Sequence, residues 1–181
     1  MSNFNRPHSM AAVLLLTFVP IHIRLVDRAG LPAKLRMDAQ RTVQAIFNKT
    51  GLSLQFVECS GEPNPNDYFL QIVNLRPKHL APDSAGSAVL VPSPRPGDSY
   101  AVIWFPEVES AAQSLQAPVS SVLAASMAHE IGHLLLHSSR HSHSGVMSPR
   151  IDRRQIRLLE RGELLFTSAE SARLGSSAYN N

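Results

Sequence analysis

The chain has 181 residues, 44% of them hydrophobic, enough for one domain with a substantial core. Its 17 Lys+Arg against 14 Asp+Glu leave a formal charge of only +3, a small excess of base rather than a polycationic surface. That argues against nucleic acid, which calls for clustered charge, and the lone Cys59 excludes both an intrachain disulfide and a cysteine-based metal site.

Residues 1–10 carry Arg6 and no acid, and "MAAVLLLTFV" (10–19) has the length of a signal-peptide core while being too short to span a bilayer. Residues 1–19 are therefore expected to be a leader or signal-like segment, and 20–181 a single domain. This favours a secreted or periplasmic protein over a cytoplasmic one, without stable membrane insertion.

"IHIRLVD" (21–27) alternates Ile21, Ile23 and Leu25 against His22, Arg24 and Val26, which predicts a strand with one buried face. After Gly30 and Pro32, residues Leu35, Ala39, Val43, Ile46 and Phe47 keep helical spacing up to a stop at Gly51. "LSLQFVEC" (52–59), "YFLQIVNL" (68–75) and "SYAVIWF" (99–105) read as further strands, with a loop at "GEPNPND" (61–67). Inside the Pro/Ser/Gly-rich segment 76–98 lies a short apolar stretch, and "GSAVLVP" (86–92) is a candidate edge strand or a surface loop. The order of elements is that of an α+β fold with no internal repeat.

The long helix is expected over "PVSSVLAASMAHEIGHLLLHS" (118–138), with Pro118 tolerated in the first turn. Inside it stand His129, Glu130 and His133, the pattern H-E-x-x-H. Residues four apart on a helix are about 6 Å apart along the axis and about 40° apart around it. Both imidazoles can therefore reach one cation at the roughly 2.0–2.1 Å that zinc–nitrogen bonds require. Glu130 can address a water on the open face of that ion and act as general base while the water attacks a carbonyl.

A third ligand is required. His137 lies eight residues after His129, about 12 Å along the same axis, and cannot share the ion with His133; it reads as a residue of the helix C-terminus, where an imidazolium suits the dipole. His141 and His143 lie beyond the helix, and either could turn back to the metal. A carboxylate from Glu160, Glu163 or Glu170 is the other option, although Thr167-x-x-Glu170 reads better as a capping box opening a short last helix. The run Arg150–Arg161, five Arg against Asp152 and Glu160, reads as a solvated, partly paired surface. No oxyanion helper stands out among Tyr68, Tyr100 and Tyr179.

The stretch "HEIGHLLLHSSRHSHSGVM" (129–147) resembles the zinc-binding segment of metzincin-like (zincin) metalloproteases, and in detail a group of small bacterial proteins reading HEIGHLLLG, a short linker, then H-S-x-x-G-I-M. The likeness is specific over residues 128–147 and weaker over the rest. It implies a zincin-like α+β domain: a mixed sheet, an active-site helix and a small C-terminal subdomain with a terminal helix. It also implies Zn2+ held by His129, His133 and His141, with Met147 in a Met-turn beneath it. The chain departs from the metzincin pattern at Leu136 and Ser139, where a Gly and the third His would stand, and from the bacterial group at His137, where Gly is usual and a left-handed cap would be strained. The function expected is a zinc-dependent metallopeptidase, most simply an endopeptidase, acting on peptide or protein substrates bound along the sheet edge. Against it stand a non-catalytic metal-binding protein and a zinc-stabilised interaction domain, neither of which has a use for Glu130.

Overall fold

The alternation at the front of the chain becomes β1 (Ile21–Asp27), which runs parallel to β2 (Leu54–Glu58) on one side and to β3 (Tyr68–Val73) on the other. Parallel neighbours need a crossover, and α1 (Ala33–Asn48) supplies it between β1 and β2. β5 (Tyr100–Trp104) adds to β3 in parallel, and β4 (Gly86–Val89) pairs antiparallel with β5 at the edge, giving the order β2-β1-β3-β5-β4. The structure, a computed structural model, describes residues 20–58, 64–75, 85–91 and 96–177; the expected leader 1–19, Cys59 and Tyr179 lie outside them. Of the two readings of 86–92, edge strand and loop, the first holds for Gly86–Val89.

One face of the sheet carries the core. Ile23, Leu25, Leu70, Ile72, Ala101 and Ile103 occupy alternate positions and are all buried, as the period of two requires. Against them lie α1 and α3 (Val119–Leu136), which also pack on each other. Val122, Leu123, Met127, Ile131 and Leu134 of α3 have no exposed surface, a burial that contributes about 1.5–3 kcal/mol per side chain. Because α3 is covered nearly all round, its sequence is apolar nearly all round rather than striped. For the same reason it is, among the described residues, the one helix long and apolar enough by composition to cross a membrane.

On the opposite face, Arg24 reaches Asp67 through Nε at 3.0 Å and Nη2 at 2.8 Å, both residues being buried. Two elements differ from the sequence expectation. The strand over 99–105 stops at Trp104, and α2 (Phe105–Leu115) begins at once, with Pro106 in its first turn where a missing N–H costs nothing. The arginine run contains α4 (Arg153–Glu160): Asp152 accepts a hydrogen bond from the Gln155 amide and Gln155 returns one to the Asp152 amide, while Ile156 and Leu159 face the core. The last helix, α5 (Ser168–Ser177), starts where the capping box placed it.

Candidate metal centre

Helix α3 presents His129 and His133 one turn apart, and the chain then turns back to bring His141 to them. Ring centroids lie 4.6 Å apart for His129 and His133, 5.2 Å for His129 and His141, and 5.0 Å for His133 and His141. One nitrogen from each ring lies within 4.8 Å of the other two. His143 is exposed and outside this cluster, and so are the three candidate glutamates. Glu160 ends α4, Glu163 accepts from Arg161 at 3.0 Å, and Glu170 is engaged as described below.

Hydrogen bonding fixes how the first two rings are protonated. His129 Nδ1 lies 2.9 Å from the Val146 carbonyl and His133 Nδ1 lies 2.6 Å from the Ser138 carbonyl. A carbonyl only accepts, so each Nδ1 carries the hydrogen and donates it, and each neutral ring keeps its lone pair on Nε2. These two Nε2 atoms face each other at 3.0 Å. Two lone pairs converging at that distance repel unless a cation lies between them. Two ligand nitrogens about 2.05 Å from a tetrahedral zinc would be about 3.3 Å apart, close to this spacing. Backbone carbonyls on the far nitrogens are also the usual second support of metal-bound imidazoles. Burial drives the His129 pKa down to about 4, against the pull of the Val146 carbonyl, and burial lowers that of His133 as well. Both rings are therefore neutral near pH 7, the form that binds metal. The residues fit a divalent cation of zinc's preferences.

The turn out of α3 makes the Ser138 contact possible. His137 caps the helix in the left-handed region, at φ 44° and ψ 49°. A β-carbon is unfavourable there, although His tolerates it better than most residues. That turn aims the Ser138 carbonyl back at the His133 ring. The loop from His141 onward closes on itself and on the last helix. Ser142 N–H donates to the Met147 carbonyl at 2.8 Å, and the Ser142 hydroxyl donates to the carboxylate of Glu170. The other oxygen of Glu170 accepts from the Thr167 amide at 2.8 Å. Gly145 has φ 80°, and a β-carbon there would run into the Leu165 carbonyl, which itself accepts from Val146 N–H. Only glycine serves at that position.

Met147 is fully buried, and Gly132, between the two histidines of α3, makes room for it. A β-carbon on Gly132 would meet the Met147 sulfur at 2.5 Å and Phe166 at 3.0 Å. Phe166 in turn packs on Phe47 of α1 with centroids 5.0 Å apart, tying Met147 and Gly132 to the main core.

Glu130 is 6% exposed, and its Oε2 has no hydrogen-bond partner. Burial pushes its pKa up to about 8. A polar group buried without a partner costs about 1–3 kcal/mol, so the fold is less stable for holding it there. Gly86 of β4 provides the space, since a β-carbon there would lie 2.8 Å from Glu130 Cγ. His129, Glu130, His133 and His141 line a single cavity of about 630 Å³, bordered by Gly86 and Ala88 of β4, Val122 of α3 and Ile151. The roles of Gly86 and Gly132 escape sequence reasoning because they depend on what lies opposite.

No protein-family profile matches the sequence, and no curated protein does. Among solved structures, the crystal structure of an archaemetzincin from Methanopyrus kandleri is similar, with a TM-score of 0.60 and 14% sequence identity; the match covers 88% of this chain and 96% of that one. It says nothing of the small bacterial group that residues 129–147 resemble. It shows that the chain has an archaemetzincin-like, and thus zincin-like, α+β fold.

Proposed function

We propose that this protein is a zinc-dependent metallopeptidase, with His129, His133 and His141 as the metal ligands and Glu130 as the general base. The observation that carries the reading is the pairing of two converging imidazole lone pairs with a buried carboxylate, one oxygen of which has no partner, in the lining of the same cavity. A structural metal site has no use for that carboxylate. Zinc in such a site lowers the pKa of water and polarises a carbonyl.

The rest is done by the chain. The Val146 and Ser138 carbonyls hold two of the rings in the tautomer that leaves Nε2 free. The Glu130 carboxylate takes a proton from the attacking water and delivers it to the nitrogen of the leaving amine. Met147 provides an apolar floor, the part a Met-turn plays. Peptide is taken as an added strand along the edge strand β4, whose residues border the cavity.

The test is to measure metal content and cleavage of a peptide library for the wild type and Glu130→Ala. Both should bind about one zinc, with cleavage by the variant slower by about 10²–10⁴-fold. If both bind zinc and neither cuts, a zinc-stabilised interaction domain becomes the better account.

A further inference from the structure

Helix α5 is fastened to the metal-binding segment at two points. Leu174 is fully buried and seats the helix against the core. Glu170 and Arg173, three residues apart, are neighbours on the helix surface. The Ser142 hydroxyl donates to the Glu170 carboxylate, and Arg173 Nη2 donates to the Leu136 carbonyl at 2.7 Å. That carbonyl ends α3, where the backbone supplies it no partner within the helix. The His137 and Ser138 amides go back to the carbonyls of Leu134 and His133 instead. A guanidinium also suits this end of the helix dipole.

Between Leu136 and Ser142 stand the two parts of the centre that α3 does not itself carry. The Ser138 carbonyl accepts from His133 Nδ1 at 2.6 Å, and His141 brings the third ring to the other two. His137 turns the chain through the left-handed region, and the Arg140 amide donates to Ser138 Oγ at 3.2 Å. The same helix therefore holds both ends of the segment. A cap on α3 alone has no need of a partner at the far end. Here Glu170 holds that far end, and its negative charge lies near enough to the centre to pull the His129 pKa upward, against the effect of burial.

We infer that Arg173 and Glu170 are positioning residues of the metal centre: α5 clamps residues 136–142 at both ends, and so fixes the Ser138 carbonyl on His133 and the His141 ring beside its two partners. Metal affinity is then set in part by a helix that supplies no ligand. The inference rests on the ligand set proposed above, and the experiment separates the two.

Zinc affinity, referred to the folded fraction, is measured by competition with a chromogenic chelator for the full-length wild type, Arg173→Met, Arg173→Lys and His141→Ala. Chemical denaturation of the metal-free proteins gives the folded fraction. Arg173→Met should bind zinc about 10-fold more weakly while staying folded without metal. Arg173→Lys still offers one charged donor to the Leu136 carbonyl and should recover most of the loss. His141→Ala should weaken binding more than either. Wild-type affinity in Arg173→Met overturns the inference, as does a loss that the lysine variant shares in full or one that vanishes when referred to the folded fraction; all three leave the ligand set standing if His141→Ala is weakened. Unchanged affinity in His141→Ala, with Arg173→Met still weakened, removes His141 from the ligand set and leaves Arg173 acting through the Ser138 carbonyl alone. Unchanged affinity in both overturns both.

Discussion

Two buried carboxylates on different faces of this molecule are treated in opposite ways. Asp67, 2% exposed, receives two hydrogen bonds from the Arg24 guanidinium across neighbouring parallel strands. Glu130, 6% exposed, has an oxygen with no partner and lies beside histidines held neutral by burial. The first arrangement neutralises a buried charge and holds β1 to the start of β3. The second leaves a carboxylate oxygen unpaired on a residue that lines the cavity. Among the described residues, the buried side-chain polar atoms without a partner, on Ser126 and Glu130, both belong to residues that line the cavity.

The largest test of that contrast is a pair of stability measurements. Asp67→Ala leaves the Arg24 charge buried without its partner and should destabilise the fold by about 3–5 kcal/mol in chemical denaturation, with the zinc affinity of the folded protein unchanged. Glu130→Gln should do the opposite under the right conditions. The carboxyl has an ordinary pKa of 4.5 and a folded value of about 8. The folded protein therefore binds the proton more tightly, and the stability this gives is fully present below pH 4.5 and lost as pH rises through 8. In the metal-free protein, the Gln variant should melt above the wild type at pH 9, by an amount on the order of a few kcal/mol, with the gap narrowing as pH falls and closing only near pH 4.5. His129 titrates with the opposite sign, since its depressed pKa makes stability fall as pH drops below 6.5, but it is present in both proteins and leaves the difference untouched. A wild type that melts higher at pH 9 would remove the contrast.

A smaller effect concerns the loop that carries His141. Ser142→Ala removes the hydroxyl bond to Glu170 while keeping the capping box of α5. Competition with a chromogenic chelator should show zinc affinity weaker by about 10–100-fold, with the melting temperature of the metal-free protein little changed. The smallest effect should be a gain. His137→Gly relieves the left-handed cap and should stabilise the fold by about 1 kcal/mol, provided the turn to Ser138 keeps its geometry. Loss of metal affinity in that variant would mean that the histidine side chain helps to set the turn.

Much of this was legible in the chain. Alternation located β1 and the body of β2, β3 and β5, and helical spacing located α1 and α3. The cluster of His129, His133 and His141 needed more than spacing, because local geometry left His143 and three glutamates as alternatives, and only the resemblance over 129–147 favoured His141. α4 was hidden by its charge: a run of arginines looks like solvated surface, yet Asp152-x-x-Gln155 and the apolar pair Ile156 and Leu159 carried the signal for a capped, half-buried helix. α2 was obscured because it follows β5 with no turn residue between them, so the apolar run appears continuous. Strand order and the unpaired state of Ser126 and Glu130 are set by contacts between distant segments, which no local pattern encodes.

The bond between Ser142 and Glu170 spans 28 residues and joins the loop of the third histidine to the final helix. On a ribosome the two histidines of α3 emerge well before α5 does. Until α5 has emerged and folded, the loop lacks this fastening and has only its contacts to α3 and to the segment around Leu165, and a cleavage that removed α5 would loosen it again. Bringing His141 to the two histidines of α3 is thus coupled to the folding of α5.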